Sequence, residues 1–315
     1  MQPSLYKISK NLEPLKETPF KKERELQNIF EANLPQIMGL MLVKSEFVIK
    51  NKRVDTLAFD QESKAFVIIE YKRDRNSSVV DQGFTYLSLM LQNKADFILE
   101  YNEQNPNKTL SRNDVDWSQS RVVFVSSDFT DNQIEATNFK DIAIELYDVK
   151  RYGDHLLITP IKKSKAAESI KPITQRNKEY KSVVDEIKVY TEENLLSNKS
   201  EEVIALYEKY RSAIINLTDD IEVKPQKWYI AFKKDRRNIC DIEIQKAGLK
   251  IAINVKKGTL DDPKKITRDI SGLGHLGNGD YELKVSDDKH LEYVMSLVKQ
   301  AIIEGGCFAR TVLGN

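Results

Sequence analysis

The chain has 315 residues, with 49 lysines and arginines against 48 aspartates and glutamates, and 40% of its residues are hydrophobic. This length suits about two domains of ordinary size, and the composition excludes both a disordered chain and a polyelectrolyte. The longest apolar run, residues 37–43, is far shorter than the ~18 residues that cross a bilayer, so we expect no membrane span.

The first residues and the cysteines indicate the compartment. No apolar segment follows the first lysine, which excludes the pattern of a secretory signal. The two cysteines, Cys240 and Cys307, are too few for a disulfide framework or a four-ligand zinc site. We therefore expect a cytoplasmic protein.

The first half of the chain alternates helical and strand patterns. Residues 21–36 predict an amphipathic helix, because Leu26, Phe30, Leu34 and Ile37 form one apolar stripe. The other elements predicted here are strands at 46–50, 53–60 and 65–72, a helix at 79–93, a strand at 121–126, a helix at 130–138 and a strand at 142–149. The polar residues 100–120 predict a long loop. This order predicts an α/β domain at residues 1–161, with a mixed sheet flanked by helices.

The second half follows a basic stretch, residues 162–181, which predicts a linker. The elements predicted after it are helices at 181–195 and 200–217, strands at 227–233, 239–245, 249–255 and 281–285, and a helix ending near residue 303. They predict an α+β domain at residues 182–315 with an antiparallel sheet. Trp228, Ile230 and Phe232 alternate onto one face of a strand, and we expect them to be core rather than a base-stacking platform.

The predicted strand 65–72 ends in charged residues on an apolar face. Glu70 and Lys72 follow Phe66 and Ile68 on that face, where ionised groups are costly unless paired or bound to metal. Asp55 lies on the neighbouring strand, and two carboxylates raise each other's pKa unless a divalent cation separates them. Such oxygen ligands suit Mg²⁺. The alternative is a solvated Glu-x-Lys ion pair.

An Arg-x-Asp strand, Arg53-Val-Asp55, followed by a Glu-x-Lys strand, Glu70-Tyr-Lys72, resembles the PD-(D/E)XK phosphodiesterase superfamily, especially its RecB-like and archaeal DNA-repair endonuclease branches. The resemblance covers residues 21–149 and implies a restriction-endonuclease-like fold. It also implies that Lys72 positions the attacking nucleophile. Val54 stands where the superfamily name has proline.

The RecB-like branch adds a glutamine and a tyrosine on the next helix, and this chain has Gln82 and Tyr86. Their spacing places both side chains on one helix face. The resemblance implies that these two residues orient the substrate, and the alternative is a helix-packing pair. It further implies that Asp55, Glu70 and the Tyr71 carbonyl bind Mg²⁺ or Mn²⁺.

Members of this superfamily often supply a further acid from the first helix. Glu23 falls on the apolar stripe of that predicted helix, whereas Glu25 and Glu31 point away from it. We therefore expect Glu23 to complete the metal site, and the alternative is that it is solvated beyond the helix. Glu46 is a weaker candidate, because it is expected at an exposed strand end.

Basic residues supply candidate contacts to nucleic acid. They flank the motifs above or form a basic turn in the second half, and they are Arg53, Arg73, Arg75, Lys233, Lys234, Arg236 and Arg237. The alternative for each is an ordinary solvated surface residue. His275, in a glycine-rich loop, is interpreted as a structural hydrogen-bonding residue rather than as a catalytic one.

These observations favour a cytoplasmic, Mg²⁺- or Mn²⁺-dependent nuclease that acts on DNA. No nucleotide-binding glycine loop is present in the sequence, so the activity should need no ATP from this chain. The second half resembles an uncharacterised bacterial domain found behind nuclease-like domains, and we interpret it as a targeting or DNA-contact module. Two alternatives remain: a catalytically inactive nucleic-acid-binding module that keeps the nuclease fold, and recruitment of a protein partner by the C-terminal domain.

Overall fold

The computed structural model describes residues 5–72, 78–164, 166–235, 237–273 and 279–311, with side chains as far as residue 303. The chain divides into two compact units, Met1–Val189 and Tyr190–Asn315. All residues of the predicted metal site belong to the first unit. In the described residues, no helix is both long enough and apolar enough to span a membrane.

The first unit combines a large sheet with helices on both faces. Its described strands are β1 (Tyr6–Ile8), β2 (Leu12–Pro14), β3 (Met41–Ile49), β4 (Lys52–Asp60), β5 (Ala65–Lys72), β6 (Arg121–Ser126), β7 (Ile144–Tyr152) and β8 (His155–Ile161). Its described α-helices are α1 (Glu23–Ala32), α2 (Leu34–Met38), α3 (Val79–Gln92), α4 (Lys94–Gln104), α5 (Asp131–Thr137), α6 (Lys171–Thr174) and α7 (Lys178–Glu186).

Strands β3 to β8 form one six-stranded sheet in chain order. The β3–β4, β4–β5 and β7–β8 pairs are antiparallel, whereas β5–β6 and β6–β7 are parallel. Helices α1 and α2 pack on one face through Phe30 and Leu34, and α3 and α4 pack on the other through Phe84 and Phe97. The predicted mixed sheet flanked by helices is therefore confirmed.

Several elements of this unit differ from the prediction, among them β1 and β2, which were not predicted, and β3, which begins at Met41. The first helix ends at Ala32, and a separate short helix with Pro35 in its first turn follows Asn33. The predicted loop at 100–120 begins inside α4, whose Phe97 and Tyr101 are buried. Strand β8 was not predicted; it pairs along β7 at the sheet edge, and its residues are half-buried or exposed.

The predicted linker at 162–181 is wrong, because the chain there is structured and belongs to the first unit. Lys171–Thr174 and Lys178–Glu186 form α6 and α7, and the buried side chains of Ile170, Val183 and Val184 join the core beside α3. The Tyr180 ring stacks on Phe84, with ring centroids 4.2 Å apart. The few apolar residues of this basic stretch are enough to pack it on the sheet domain, and the predicted helix at 181–195 is correspondingly divided between the two units.

The second unit is an α+β unit with an antiparallel sheet, as predicted. Its described elements are α8 (Glu192–Leu196), α9 (Glu201–Ile215), β9 (Glu222–Pro225), β10 (Ile230–Lys234), β11 (Arg237–Ile244), β12 (Leu249–Ile253), β13 (Arg268–Asp269), β14 (Tyr281–Val285) and α10 (Leu291–Thr311). The sheet order is β13-β14-β12-β11-β10-β9. Ile230 and Phe232 lie in the core, but Trp228 is 56% exposed, so its prediction as core is wrong. Trp228 lies before the start of β10, so the side-chain alternation of that strand does not apply to it.

Candidate active site

The end of β5 presents a carboxylate and an ammonium on one face of the sheet. Phe66 and Ile68 point into the core beneath α3 and α4, while Val67 points into the opposite core beneath α1. Strand alternation therefore places Glu70 and Lys72 on the α3 side, as predicted. Glu70 is 6% exposed, and its Oε1 accepts a hydrogen bond from Lys72 Nζ at 3.0 Å.

Asp55 lies across from Glu70. The β4–β5 register pairs Thr56 with Ile69, so its next step places Asp55 opposite Glu70. In a regular strand Val54 and Thr56 would point to the same face of the sheet. Here Val54 packs in the core beneath α3, whereas Thr56 bonds Glu31 of α1 on the other face, so the alternation of β4 breaks at Asp55. The turned strand lets Asp55 Oδ2 accept the backbone N–H of Tyr71 at 3.0 Å. The structure thus brings the predicted acids together.

Helix α3 places two more predicted residues over Glu70. Gln82 Nε2 donates to Glu70 Oε1 at 2.8 Å, and the Tyr86 hydroxyl lies 3.1 Å from Glu70 Oε2. Gln82 also donates to the Tyr86 hydroxyl at 2.9 Å. Both side chains therefore hold the carboxylate of Glu70.

The sequence of α3 explains this close approach. Ser78 caps the helix by accepting the N–H of Asp81 at 3.3 Å, which fixes where the first turn begins. Gly83 follows Gln82, and a Cβ at this position would lie 2.4 Å from Cδ1 of Ile144. A larger residue here would require the Ile144 side chain to move, so glycine favours this close approach of the helix to the sheet. The short helix–sheet distance brings Gln82 within reach of Glu70.

The electrostatics of the site follow from two neighbouring carboxylates, the half-buried Asp55 and the buried Glu70. Burial, followed by the charge of Glu70, raises the pKa of Asp55 to about 6, against the smaller opposing effects of the Tyr71 N–H and Lys72. Burial and the Glu70 charge also raise the pKa of Tyr86, so its hydroxyl remains a proton donor. Asp55 therefore ionises at neutral pH against an unfavourable field.

The donor set fits a divalent cation that keeps much of its water. The described residues contain no group of three or more histidines, cysteines, aspartates and glutamates arranged around one metal position. Asp55 and Glu70 supply two oxygen-bearing groups, and Tyr71, whose carbonyl is the third predicted ligand, lies between Glu70 and Lys72 in β5. Mg²⁺ is usually bound by one or two carboxylates with water and phosphate completing its shell.

The acids of the first helix occupy different environments from those predicted. Glu23 is an exposed residue in the first turn of α1. Glu31 instead accepts hydrogen bonds from Thr56 Oγ1 at 2.5 Å and from Gln27 Nε2 at 2.9 Å. Gln27 is 3% exposed and also donates to the Asp55 carbonyl at 2.8 Å. Glu23 is therefore not on a buried stripe, and its role at a metal stays a prediction. A polar pair four residues apart beside the apolar stripe was the signal that could have identified Gln27 and Glu31.

A second acid–lysine pair lies on the same sheet face, two strands away. The parallel registers align Lys72 with Ser126 of β6 and Ser126 with Asp148 of β7. Burial raises the pKa of Asp148, and Lys150 Nζ lies 3.8 Å from its Oδ2. Sequence reasoning missed these residues, because only the strand register shows that they extend the row begun by Lys72.

The predicted nucleic-acid contacts are distributed over both units. Arg53 is exposed beside Asp55, and its Nε lies 2.9 Å from Glu46 Oε2. Lys234, at the end of β10 in the second unit, donates to the Asp219 carbonyl at 2.7 Å. Two more of the predicted residues lie near the β10–β11 turn, namely Lys233 and Arg237. The remaining predicted contacts and the loop histidine lie outside the described residues: Arg73, Arg75, Arg236 and His275.

Three solved structures are similar to part of the chain at low scores. A repair endonuclease from Pyrococcus abyssi is 16% identical with a TM-score of 0.24, and it aligns with 47% of this chain and 66% of its own. An EndoMS–dsDNA complex is 14% identical with a TM-score of 0.24, covering 46% and 64%. SfsA from Pyrococcus furiosus with Ca²⁺ is 17% identical with a TM-score of 0.23, covering 44% and 62%. The chain thus spans less than two thirds of the length of each.

Sequence comparison gives a longer match. Residues 192–302 match a domain of unknown function (DUF5655), in agreement with the predicted uncharacterised C-terminal domain. A protein of Haemophilus influenzae, described as uncharacterized, is 54% identical over 292 residues, which are 92% of this chain and 96% of that protein. The chain therefore belongs to the same family as this Haemophilus influenzae protein.

Proposed function

We propose that the amino-terminal unit is a metal-dependent nuclease that hydrolyses phosphodiester bonds in DNA. The observation that carries this proposal is that Glu70 and Lys72 lie on one face at the end of β5, while Asp55 of β4 lies across from Glu70 and bonds the Tyr71 N–H. A sheet core normally excludes such a set unless the charges are paired or bind a ligand. Here Lys72 pairs with Glu70, and Asp55 makes no ion pair within the described part of the chain.

Asp55 and Glu70, with the Tyr71 carbonyl, would hold Mg²⁺ or Mn²⁺. When bound, such a cation acts as a Lewis acid on the phosphate and lowers the pKa of a water molecule. The raised pKa of Asp55 supports this assignment, because a cation between the two acids relieves the repulsion that opposes ionisation. Below pH 6 Asp55 is protonated, so cleavage at a limiting metal concentration should rise with pH through about 6.

The other polar residues orient the reacting groups. Lys72 Nζ can neutralise a phosphate oxygen and hold an attacking hydroxide beside Glu70. Gln82 and Tyr86 donate to the two oxygens of Glu70 and fix the orientation of its carboxylate. We therefore assign these two residues as positioning residues for Glu70, which refines the predicted role in orienting the substrate.

The test is cleavage of plasmid and single-stranded DNA by the purified full chain with Mg²⁺ or Mn²⁺. Wild type should cut, and Lys72→Ala should lose the activity while remaining folded. Lys64→Ala is a matched control, because Lys64 is exposed at the turn that precedes β5, at the other end of the same strand. Equal activity of wild type and Lys72→Ala would contradict the proposal and indicate a contaminating nuclease.

The alternative is a binding module without turnover. The observation that favours it is that both oxygens of Glu70 already accept hydrogen bonds from neighbouring side chains. This alternative predicts salt-sensitive DNA binding, no cleavage with any divalent ion, and nearly unchanged binding in Lys72→Ala. Binding and cleavage measured on the same preparations separate the two functions.

A further inference from the structure

Two arginines meet one carboxylate beside the candidate active site. Arg24 Nη1 of α1 lies 2.6 Å from Glu46 Oε1, and Arg53 Nε of β4 lies 2.9 Å from Glu46 Oε2. The arginine side chains are 52% and 66% exposed, whereas that of Glu46 is 29% exposed. These three residues form a surface cluster, here named the arginine clamp, whose guanidinium groups are open to a ligand.

The clamp has a fixed position relative to the acids. The β3–β4 pairs on either side place Glu46 opposite Asp55, which itself lies opposite Glu70. Arg24 Nη1 also donates to Gln27 Oε1 at 3.2 Å, and Gln27 donates to the Asp55 carbonyl at 2.8 Å. Two strand spacings therefore separate the backbones of Glu46 and Glu70 by about 10 Å. This separation suits a neighbouring phosphate of a nucleic-acid strand that also occupies the candidate site.

The backbone of Glu46 indicates a role beyond a surface ion pair. Glu46 has φ +54°, in the left-handed region that side chains other than glycine seldom adopt. Such a conformation costs free energy, and exposed ion pairs return little of it. Strained positions of this kind cluster at ligand-binding and catalytic sites. The strain places one carboxylate between two guanidinium groups, in the way that a bound anion would lie.

We propose that Arg24 and Arg53 bind a backbone phosphate of the substrate strand, and that the Glu46 carboxylate occupies this anion position in the free protein. The inference rests on the proposed nuclease function and adds the binding of a phosphate next to the one that is cleaved. The guanidinium fork binds carboxylate and phosphate with the same geometry, so one anion can replace the other. Glu46 keeps the two arginines aligned and lowers non-specific binding in the absence of substrate.

The test measures DNA affinity as a function of salt. Fluorescence anisotropy of a labelled duplex, with EDTA present to prevent cleavage, gives Kd over a series of KCl concentrations. Arg24→Ala should bind about tenfold more weakly at low salt, and its slope of log K against log[salt] should be smaller by about one. Arg112→Ala is the control, because Arg112 is an exposed arginine in the segment that contacts the β4–β5 turn, away from Glu70.

Substitutions of Glu46 should change the DNA affinity in the opposite direction. Glu46→Gln removes the competing charge, so the variant should bind DNA several-fold more tightly with a steeper salt dependence. Glu46→Gly removes the same charge and suits a left-handed backbone, so it keeps the test valid if the glutamine variant folds poorly. A merely structural Glu46 would leave the affinity unchanged or weaken it in both variants.

The two proposals fail in different ways. If wild type binds and cuts DNA while Arg24→Ala has the affinity and salt slope of Arg112→Ala, the clamp is wrong and the nuclease assignment stands. If wild type neither binds nor cuts DNA with any divalent ion, the nuclease assignment fails and the clamp fails with it. Weaker binding in Arg24→Ala together with tighter binding in the Glu46 variants supports the clamp.

Discussion

The two ends of the amino-terminal sheet both carry buried charges, but they balance them differently. At one end Arg121 lies between two acids, with Nη2 2.9 Å from Asp60 and Nε 3.3 Å from Glu145. At the other end the single lysine of the site contacts Glu70, while Asp55 bonds a backbone N–H. In the Arg121 cluster, the guanidinium group lies between the two carboxylates and balances their charge.

This difference separates a structural ion pair from a ligand site. Asp60 also caps the β4–β5 turn by accepting two backbone N–H groups, so its carboxylate is used by the fold itself. Asp55 instead keeps a pKa raised to about 6 by burial and by Glu70. A buried acid without a cation is costly to the fold, which is why the second cluster is the one that should recruit a divalent ion. The following variants test this contrast.

The largest effect is expected for activity. Glu70→Gln should lower the cleavage rate about 1,000-fold, equivalent to about 4 kcal/mol, because one metal-binding carboxylate is lost. Glu145→Gln is the matched control from the other end of the sheet and should cut at nearly the wild-type rate. Single-turnover cleavage of a labelled oligonucleotide measures both. Similar losses in the two variants would remove the distinction between the clusters.

The next largest effect is on stability, and it is expected at the Arg121 end of the sheet rather than at the Glu70 end. Arg121→Ala should lower the free energy of unfolding by about 3–5 kcal/mol, because it leaves two acids without their shared cation. The folded fraction should still cleave DNA. Urea unfolding followed by circular dichroism gives the stability, with Arg112→Ala as an exposed control. If Arg121→Ala were as stable as wild type but inactive, the catalytic site would lie at the Arg121 end of the sheet, which contradicts the proposal.

Metal binding should stabilise the folded protein only through the site that contains Asp55. At a concentration of about 100 Kd, Mn²⁺ should raise the free energy of unfolding of wild type by about 2.7 kcal/mol. Asp55→Asn should lose most of this increase, and Glu145→Gln should keep it. Thermal unfolding of the full chain with and without Mn²⁺ measures the difference. An equal shift in all three proteins would mean that the ion binds elsewhere.

The smallest effect concerns pH in the absence of metal. Since the pKa of Asp55 is raised from 3.8 to about 6 in the folded chain, the ionised carboxylate destabilises the fold above pH 6. That penalty disappears as the pH falls to about 4. Asp55→Asn should therefore be more stable than wild type at pH 8, on the order of 1 kcal/mol, with the two proteins converging near pH 4. A less stable variant at pH 8 would show that the carboxylate is not strained.

The sequence predicted those parts of the site that depend on local pattern. Strand alternation assigned Glu70 and Lys72 to one face, and helical spacing grouped Gln82 with Tyr86. The turn of β4 at Asp55 could not be predicted, because it breaks the alternation of the strand itself. The break lies beside the left-handed backbone of Glu46 on β3, between the strand pairs Ser45–Thr56 and Phe47–Val54, and such a contact between strands is not contained in local pattern.

Elsewhere the predictions failed where packing overrides composition. Glu23 was chosen because it falls on the apolar stripe of the predicted helix, but α1 begins at Glu23 and leaves it exposed. The basic stretch 162–181 resembles a linker in composition, but Ile170 and Tyr180 pack on the core, as do Val183 and Val184 just beyond it. Long-range contacts of this kind have no signature in a single sequence.

The most direct test of the central claim is the position of a Mn²⁺ ion in crystals of the full chain. Anomalous diffraction should show the ion between the carboxylates of Asp55 and Glu70, and crystals of Glu70→Gln grown alike should lack that peak. The contradicting result is a wild-type crystal with saturating Mn²⁺ in which no ion lies between these two acids and their hydrogen bonds to Tyr71, Gln82 and Tyr86 are unchanged.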